Sequence, residues 1–167
     1  MQQLVVAACC AAILCGCQTT PTITGAKLMR YGVYRNNIIG YRTGRQTSEG
    51  RIAVIGDRTL LKPTDRVRAT VNTTFGIEYT VTGFPSNADA DVIVELRHPP
   101  IRNPHTGRTV AVERDPHHVL TGLPTYDDVT LDERWNVVPG DWTFRVLHGS
   151  RLLLEKTFHV VTRNTKA

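Results

Sequence analysis

No cysteine follows position 17; all four, Cys9, Cys10, Cys15 and Cys17, stand in the opening stretch. A disulfide framework or a cysteine-based zinc site in the rest of the chain is thereby excluded. Charge is missing where cysteine is found, because residues 1–16 contain no Asp, Glu, Lys or Arg. Beyond that stretch no run carries apolar residues at helical spacing for long enough to make a helix, which argues against a helical bundle. Basic runs interleaved with aromatics are absent as well, so the usual footprint of a nucleic-acid binder is missing. The glycines from Gly40 to Gly50 lack the closing Lys-Ser/Thr of a phosphate loop. Ser48, Ser86 and Ser150 sit in turn-like contexts without a nucleophile elbow, so no catalytic triad is readable.

What the opening stretch does hold is an unbroken run of Leu, Val, Ala, Ile and Cys from Leu4 to Leu14. As a helix, its roughly 11 residues span only about 17 Å, well short of a hydrocarbon core about 30 Å thick. A secretory signal is expected rather than a permanent membrane span. The run closes on Leu14-Cys15-Gly16-Cys17, which resembles the lipobox of bacterial lipoproteins. That resemblance implies removal of residues 1–16 as a signal peptide and lipidation of Cys17. Membrane lipid is then the first expected partner, with several acyl chains anchoring firmly where one would not. Two details depart from the usual pattern: Met1-Gln2-Gln3 is uncharged, and Cys15 stands where a smaller residue is commoner. Gln18 in place of Asp favours the outer membrane, with the protein facing the periplasm.

Residues 17–25, rich in Thr and containing Pro21, read as the lipidated cysteine and a short tether; residues 26–163 read as the folded domain and 164–167 as a tail. Within the domain the dominant signal is alternation with a period of two, the mark of half-buried strands. Val67, Ala69 and Val71 share one face, and Phe75, Ile77, Tyr79 and Val81 share another. Val92, Val94 and Leu96 follow, then Trp142, Phe144 and Val146, which are answered after a turn by Leu152, Leu154, Phe158 and Val160. Arg35–Gly50 reads as a loop or irregular hairpin, and Arg114–Tyr126 as a long exposed loop. Pro99-Pro100 reads as the end of a strand, because neither residue can donate to a ladder. About seven to nine short strands punctuated by Gly and Pro predict an all-β, single-domain, immunoglobulin-like antiparallel sandwich. The label is architectural, since the Cys-Trp-Cys pattern of true immunoglobulin domains is missing.

The net charge of +5 and a pI of about 9.3 belong to the part after residue 16. Such a balance suits an anionic glycan or an envelope protein as partner, and equally suits a mildly basic secreted domain with no single target.

Several residues in order resemble a known family. Tyr31-Gly32-Val33-Tyr34, Thr74-Phe75-Gly76-Ile77, His98-Pro99-Pro100, and Val138-Pro139-Gly140-Asp141-Trp142-Thr143-Phe144 leading to Phe158-His159-Val160 look like the bacterial family of domain of unknown function 3859. The likeness spans about Lys27 to Val161. It supports the fold and implies no activity.

Candidate sites are few. Glu113, Asp115, His117 and His118 place carboxylates and imidazoles in one segment, making His117 and His118 weak metal candidates. In an extended chain these adjacent rings point to opposite sides. His98 at a strand end and Trp135 beside Asn136 are candidates for ligand binding, the latter with Tyr126 and Trp142 as an aromatic platform. Asp127, Asp128, Asp132 and Glu133 offer carboxylates of the kind glycoside hydrolysis uses. No catalytic residues and no cofactor are expected; the leading reading is a lipid-anchored binding or structural module. The alternatives are an envelope hydrolase or metal-dependent enzyme built on the Glu113–His118 and Asp127 segments, and a carbohydrate or peptidoglycan binder.

Overall fold

The computed structural model describes residues 20–162, so Cys17 and the processing signal lie outside the described residues. Nine strands account for the fold: β1 (Thr22–Thr43), β2 (Arg51–Lys62), β3 (Arg66–Arg68), β4 (Thr73–Phe84), β5 (Asp89–Arg102), β6 (Thr109–Leu120), β7 (Pro124–Leu131), β8 (Gly140–His148) and β9 (Arg151–Val161). One sheet has the order β2-β1-β4-β7 and the other β3-β9-β8-β5-β6. All pairings are antiparallel except β3 with β9. The two sheets form the expected sandwich.

The alternating residues meet between the sheets. Phe75, Ile77, Tyr79 and Val81 of β4 face Val92, Val94 and Leu96 of β5 and Trp142, Phe144 and Val146 of β8. Phe75 contacts Trp142 edge-on at 5.7 Å between ring centroids, and Phe144 and Phe158 lie 6.4 and 5.1 Å away. Such aromatic pairs add about 0.5–1.5 kcal/mol each beyond their area burial. Phe75 also sits beside Gly76, and β4 and β7 approach so closely there that a Cβ on Gly76 would stand 2.2 Å from the Asp127 carbonyl oxygen.

Four local expectations are corrected. β1 begins at Thr22, ahead of the expected domain start at Ala26. The pattern through Val67 does not carry on to Val71: Val67 is fully buried, but Val71 is 41% exposed because a turn intervenes, with Asn72 in the left-handed region at φ 65°. Pro99-Pro100 does not end β5, which resumes pairing at Ile101 after a register shift that takes up both missing donors. The segment Arg114–Leu120 is strand, not loop. It completes β6, an edge strand, and Pro116 is tolerated there because one side of an edge needs no donor.

The feature that shapes the molecule is β1. Thr22–Tyr34 pairs with β4, whereas Val33–Thr43 pairs with β2. Past Tyr34, β1 and β2 therefore continue alone as a two-stranded arm.

Candidate functional site

The arm ends in a tight turn held by Gly44 N donating to Gly50 O at 2.9 Å and Thr47 Oγ1 donating to Gly44 O at 2.8 Å. Its tip reaches across to the opposite sheet. Ser48 N donates to Glu113 Oε1 at 2.8 Å, Asn103 Nδ2 to Ser48 O at 3.0 Å, and Arg108 Nη1 to Arg45 O at 3.0 Å. Arg42 on the arm pairs with Asp115. A second docking point joins the tip to the segment after β7, where Asn136 Nδ2 lies 2.6 Å from Glu49 Oε1 and 2.8 Å from Asp132 Oδ1. Arg51 adds a 3.1 Å contact to Asp132.

Bridged in this way, the arm roofs an open cleft of about 900 Å³ on the side where β6 and β7 form the sheet edges. Val94, Leu96, Ile101, Trp142 and Phe144 make its floor, and Ile38, Tyr41, Ile52 and Val54 of the arm contribute apolar groups from above. Its side wall is polar, because the inward positions of β6 are Glu113, Asp115 and His117, while Arg114, Pro116 and His118 point outward. Across from them stands Asp127 on β7, whereas Asp128, the next residue of that strand, turns to Asn36 and Arg58 of β1 and β2.

These side chains interlock. His117 Nε2 lies 2.8 Å from Asp115 Oδ2 and 3.4 Å from Asp127 Oδ1, and Tyr79 donates its hydroxyl to Asp127 Oδ2 at 2.9 Å. Asp128 takes Arg58 and the Asn36 amide, the latter at 3.0 Å. Arg58 in turn lies 4.8 Å from the Tyr126 ring centroid. Burial pushes Asp127 up to about 6 despite the opposing pull of His117 and Tyr79, and burial also raises Asp128 despite Arg58. At the arm tip, burial and the neighbouring Asp132 raise Glu49 to about 8. Glu113 and Asp132 go the other way: burial would raise both, but His98 and Ser48 hold Glu113, and Glu49, Asn136 and Arg51 hold Asp132, below the usual range. Seven acidic residues line the cleft (Glu49, Asp57, Glu113, Asp115, Asp127, Asp128, Asp132) against Arg42, Arg51 and Arg58, because the Arg114 guanidinium is turned outward to Glu95. A chain of net charge +5 thus holds a locally acidic hollow.

The model of the domain of unknown function 3859 matches residues 24–160. The chain belongs to this family. Among solved structures, the domain is similar to an immunoglobulin-like protein from Pseudomonas aeruginosa, with a TM-score of 0.61 and 24% identity over 87% of this chain and 100% of that one. A β-D-glucoside glucohydrolase from Trichoderma reesei aligns at 17% identity and a TM-score of 0.34 over 83% of this chain but 19% of its own length. No curated protein matches the chain. For this DUF3859 domain, the first likeness establishes the immunoglobulin-like fold and nothing of its role.

The residues singled out from sequence are dispersed in the DUF3859 domain. His117 lines the cleft, whereas His118 lies on the outer side of β6, 87% exposed and paired with Asp91. Among the described residues no group of three or more His, Cys, Asp or Glu is arranged to hold a metal ion. His98 is buried, stacked on Trp142 at 4.8 Å, with Nδ1 2.8 Å from Pro99 O and Nε2 3.4 Å from Glu113 Oε1. Trp135 packs half-buried against the core with its indole nitrogen unpartnered, and Trp142 is in the core. The two acidic segments named separately in the sequence, around Glu113–His118 and around Asp127, are brought together. Of the two expectations for Arg35–Gly50, a loop or an irregular hairpin, the structure shows the hairpin, with β1 running on to Thr43 and the Gly-rich turn confined to residues 44–50; its reach to the opposite sheet has no trace in the sequence beyond the apolar stretches Ile38-Ile39 and Ile52–Ile55.

Proposed function

We propose that this DUF3859 domain is a recognition module of the cell envelope, anchored through lipid on Cys17, whose roofed cleft takes a cationic segment of a partner protein. The observation that carries the reading is the acidic hollow itself. Burial raises the Asp127 carboxyl there, next to a floor and roof of apolar side chains. A lysine or arginine side chain entering the cleft brings Asp127 a permanent counter-charge, where its present partners are the His117 imidazole and the neutral Tyr79 hydroxyl. Its aliphatic stem suits the apolar roof formed by Ile38 and Val54. The anionic glycan suggested by net charge belongs, on this reading, to the basic outer surface and not to the cleft. The lipobox at Cys17 and the envelope location rest on the sequence resemblance alone.

Binding is favoured over catalysis for a geometric reason. His117 Nε2 is shared between two carboxylates, so the imidazole is engaged as a bridge and not presented as a free base. Photo-cross-linking in intact cells tests the proposal, with the reactive residue placed at Tyr41 or Tyr126 in the cleft and at Thr157 on the far sheet. Capture of one discrete partner from the cleft positions only, lost in Asp127→Asn, is the expected result. Equal capture from Thr157 would contradict it. Membrane fractionation and N-terminal mass analysis of Cys17→Ala test the anchor separately.

A further inference from the structure

The end of the sandwich from which the chain leaves towards Cys17 carries exposed apolar residues on a rigid base. Phe84, 77% exposed, is the register partner of Thr22 at the start of β1. Leu120 and Leu123, 38% and 43% exposed, flank the neighbouring turn. The two loops are tied to each other through Thr121, whose hydroxyl donates to Pro85 O at 2.7 Å and accepts from Ala88 N at 3.0 Å, while Asn87 N donates to Thr121 O at 2.8 Å. Thr121 itself is fully buried. Large apolar side chains held outward on so fixed a base, Phe84 above all, keep surface that the domain does not cover and can bury it only against something outside.

The chain length says what covers it. Cys17 precedes Thr22 by five residues, so even fully extended chain separates them by about 18 Å at most. We propose that this end, centred on Phe84 and Leu123, rests in the interfacial layer of the membrane that holds the lipid, an inference that rests on the anchored reading of Cys17. Asp89 and Asp91, both exposed, stand just behind the tip together with Arg151, which donates to Ile23 O, and His118, which pairs with Asp91; charge of both signs favours neither a strongly anionic nor a cationic surface, so the matching partner is a predominantly zwitterionic phospholipid bilayer. The arm lies at the other end of β6, where Asn103 and Arg108 hold its tip. Seating Phe84 in the bilayer therefore turns the cleft away from it.

The test uses the full lipidated chain in vesicles of phosphatidylethanolamine with a minor share of phosphatidylglycerol. An environment-sensitive fluorophore is placed on Phe84→Cys, on Leu123→Cys and, as an equally exposed control on the arm, on Ile39→Cys. A several-fold rise in emission at 84 and 123, quenched by lipid-borne nitroxide and little changed by salt, with none at 39, is expected. Equal responses at 84 and 39 would overturn the proposal. Vesicle flotation and N-terminal mass report independently whether Cys17 carries lipid. Should it not, the anchored reading fails by itself. The same three labels on chain attached by an N-terminal hexahistidine tag to nickel-chelating lipid then still decide whether this end seats in the bilayer.

Discussion

Two charged clusters in this molecule have opposite characters. On the outer face of the second sheet Glu95 is 2% exposed, yet it accepts from Arg97 at 2.7 Å, Arg114 at 2.9 Å and Arg145 at 2.6 Å. Burial alone would raise this carboxyl; three guanidinium groups reverse that and bring it down to about 2. In the cleft the carboxylates outnumber the guanidinium groups: Arg42 takes Asp115 and Arg51 takes Asp132, but Asp127 has only the His117 imidazole and the Tyr79 hydroxyl, and burial prevails there and at Glu49, lifting Asp127 to about 6 and Glu49, beside Asp132, to about 8. The first cluster is complete in itself and serves as a clamp across β5, β6 and β8. The second leaves Asp127 without a guanidinium partner beside an open hollow, the arrangement expected where a ligand supplies what the protein does not.

The sharpest way to break the comparison is at Glu95. Glu95→Gln is expected to destabilise the domain by about 2–3 kcal/mol near neutral pH, read by denaturant unfolding, because three guanidinium groups lose their anionic partner and one of the two acceptor oxygens becomes a donor. No loss would mean that the clamp is ornamental and the two clusters alike.

Next comes pH. Glu95 has a folded-state value below its ordinary 4.5, so its contribution is present above that pH and lost as pH falls towards 2. Glu49 lies above 4.5, so its contribution is full below that pH and lost as pH rises through about 8. Amide exchange at residues 44–50, corrected for intrinsic rates, should therefore show weaker protection at pH 8.5 than at pH 5, while β5 and β8 show no such change. A smaller effect is expected from Asn136→Ala, which removes the donor shared by Glu49 and Asp132. It should loosen the arm tip by about 1 kcal/mol in local exchange and leave the core unaffected. His118→Ala sharpens the comparison from below: on the outer side of β6, it should leave both the unfolding midpoint and partner capture unchanged, whereas His117→Ala abolishes capture.

The sandwich was legible because its strands have one wet and one dry face, so Phe75-Ile77-Tyr79-Val81 and Trp142-Phe144-Val146 announce their register by alternation. The arm was not, for the same reason. Beyond Tyr34 β1 has only β2 beside it and no core behind it, and a ribbon with two exposed faces has nothing to impose a period of two. The second half of β6, from Arg114, was concealed differently, whereas Val110 and Val112 mark Thr109–Glu113 as a strand. The inward positions Glu113, Asp115 and His117 are polar because they face the cleft, so the alternation is present but carries the wrong polarity for a core strand. Only the fold shows that these three share a side, and that Asp127, distant in sequence, stands opposite them.

The central claim is that the cleft carboxylates are kept against stability for the sake of a ligand. The most direct measurement is the unfolding midpoint of Asp127→Asn at pH 8, where the native carboxyl is ionised in a buried site. Asparagine keeps the Tyr79 hydrogen bond without the charge, and the account predicts a more stable protein, by about 1 kcal/mol. A less stable one would show that Asp127 belongs to the framework, as Glu95 does.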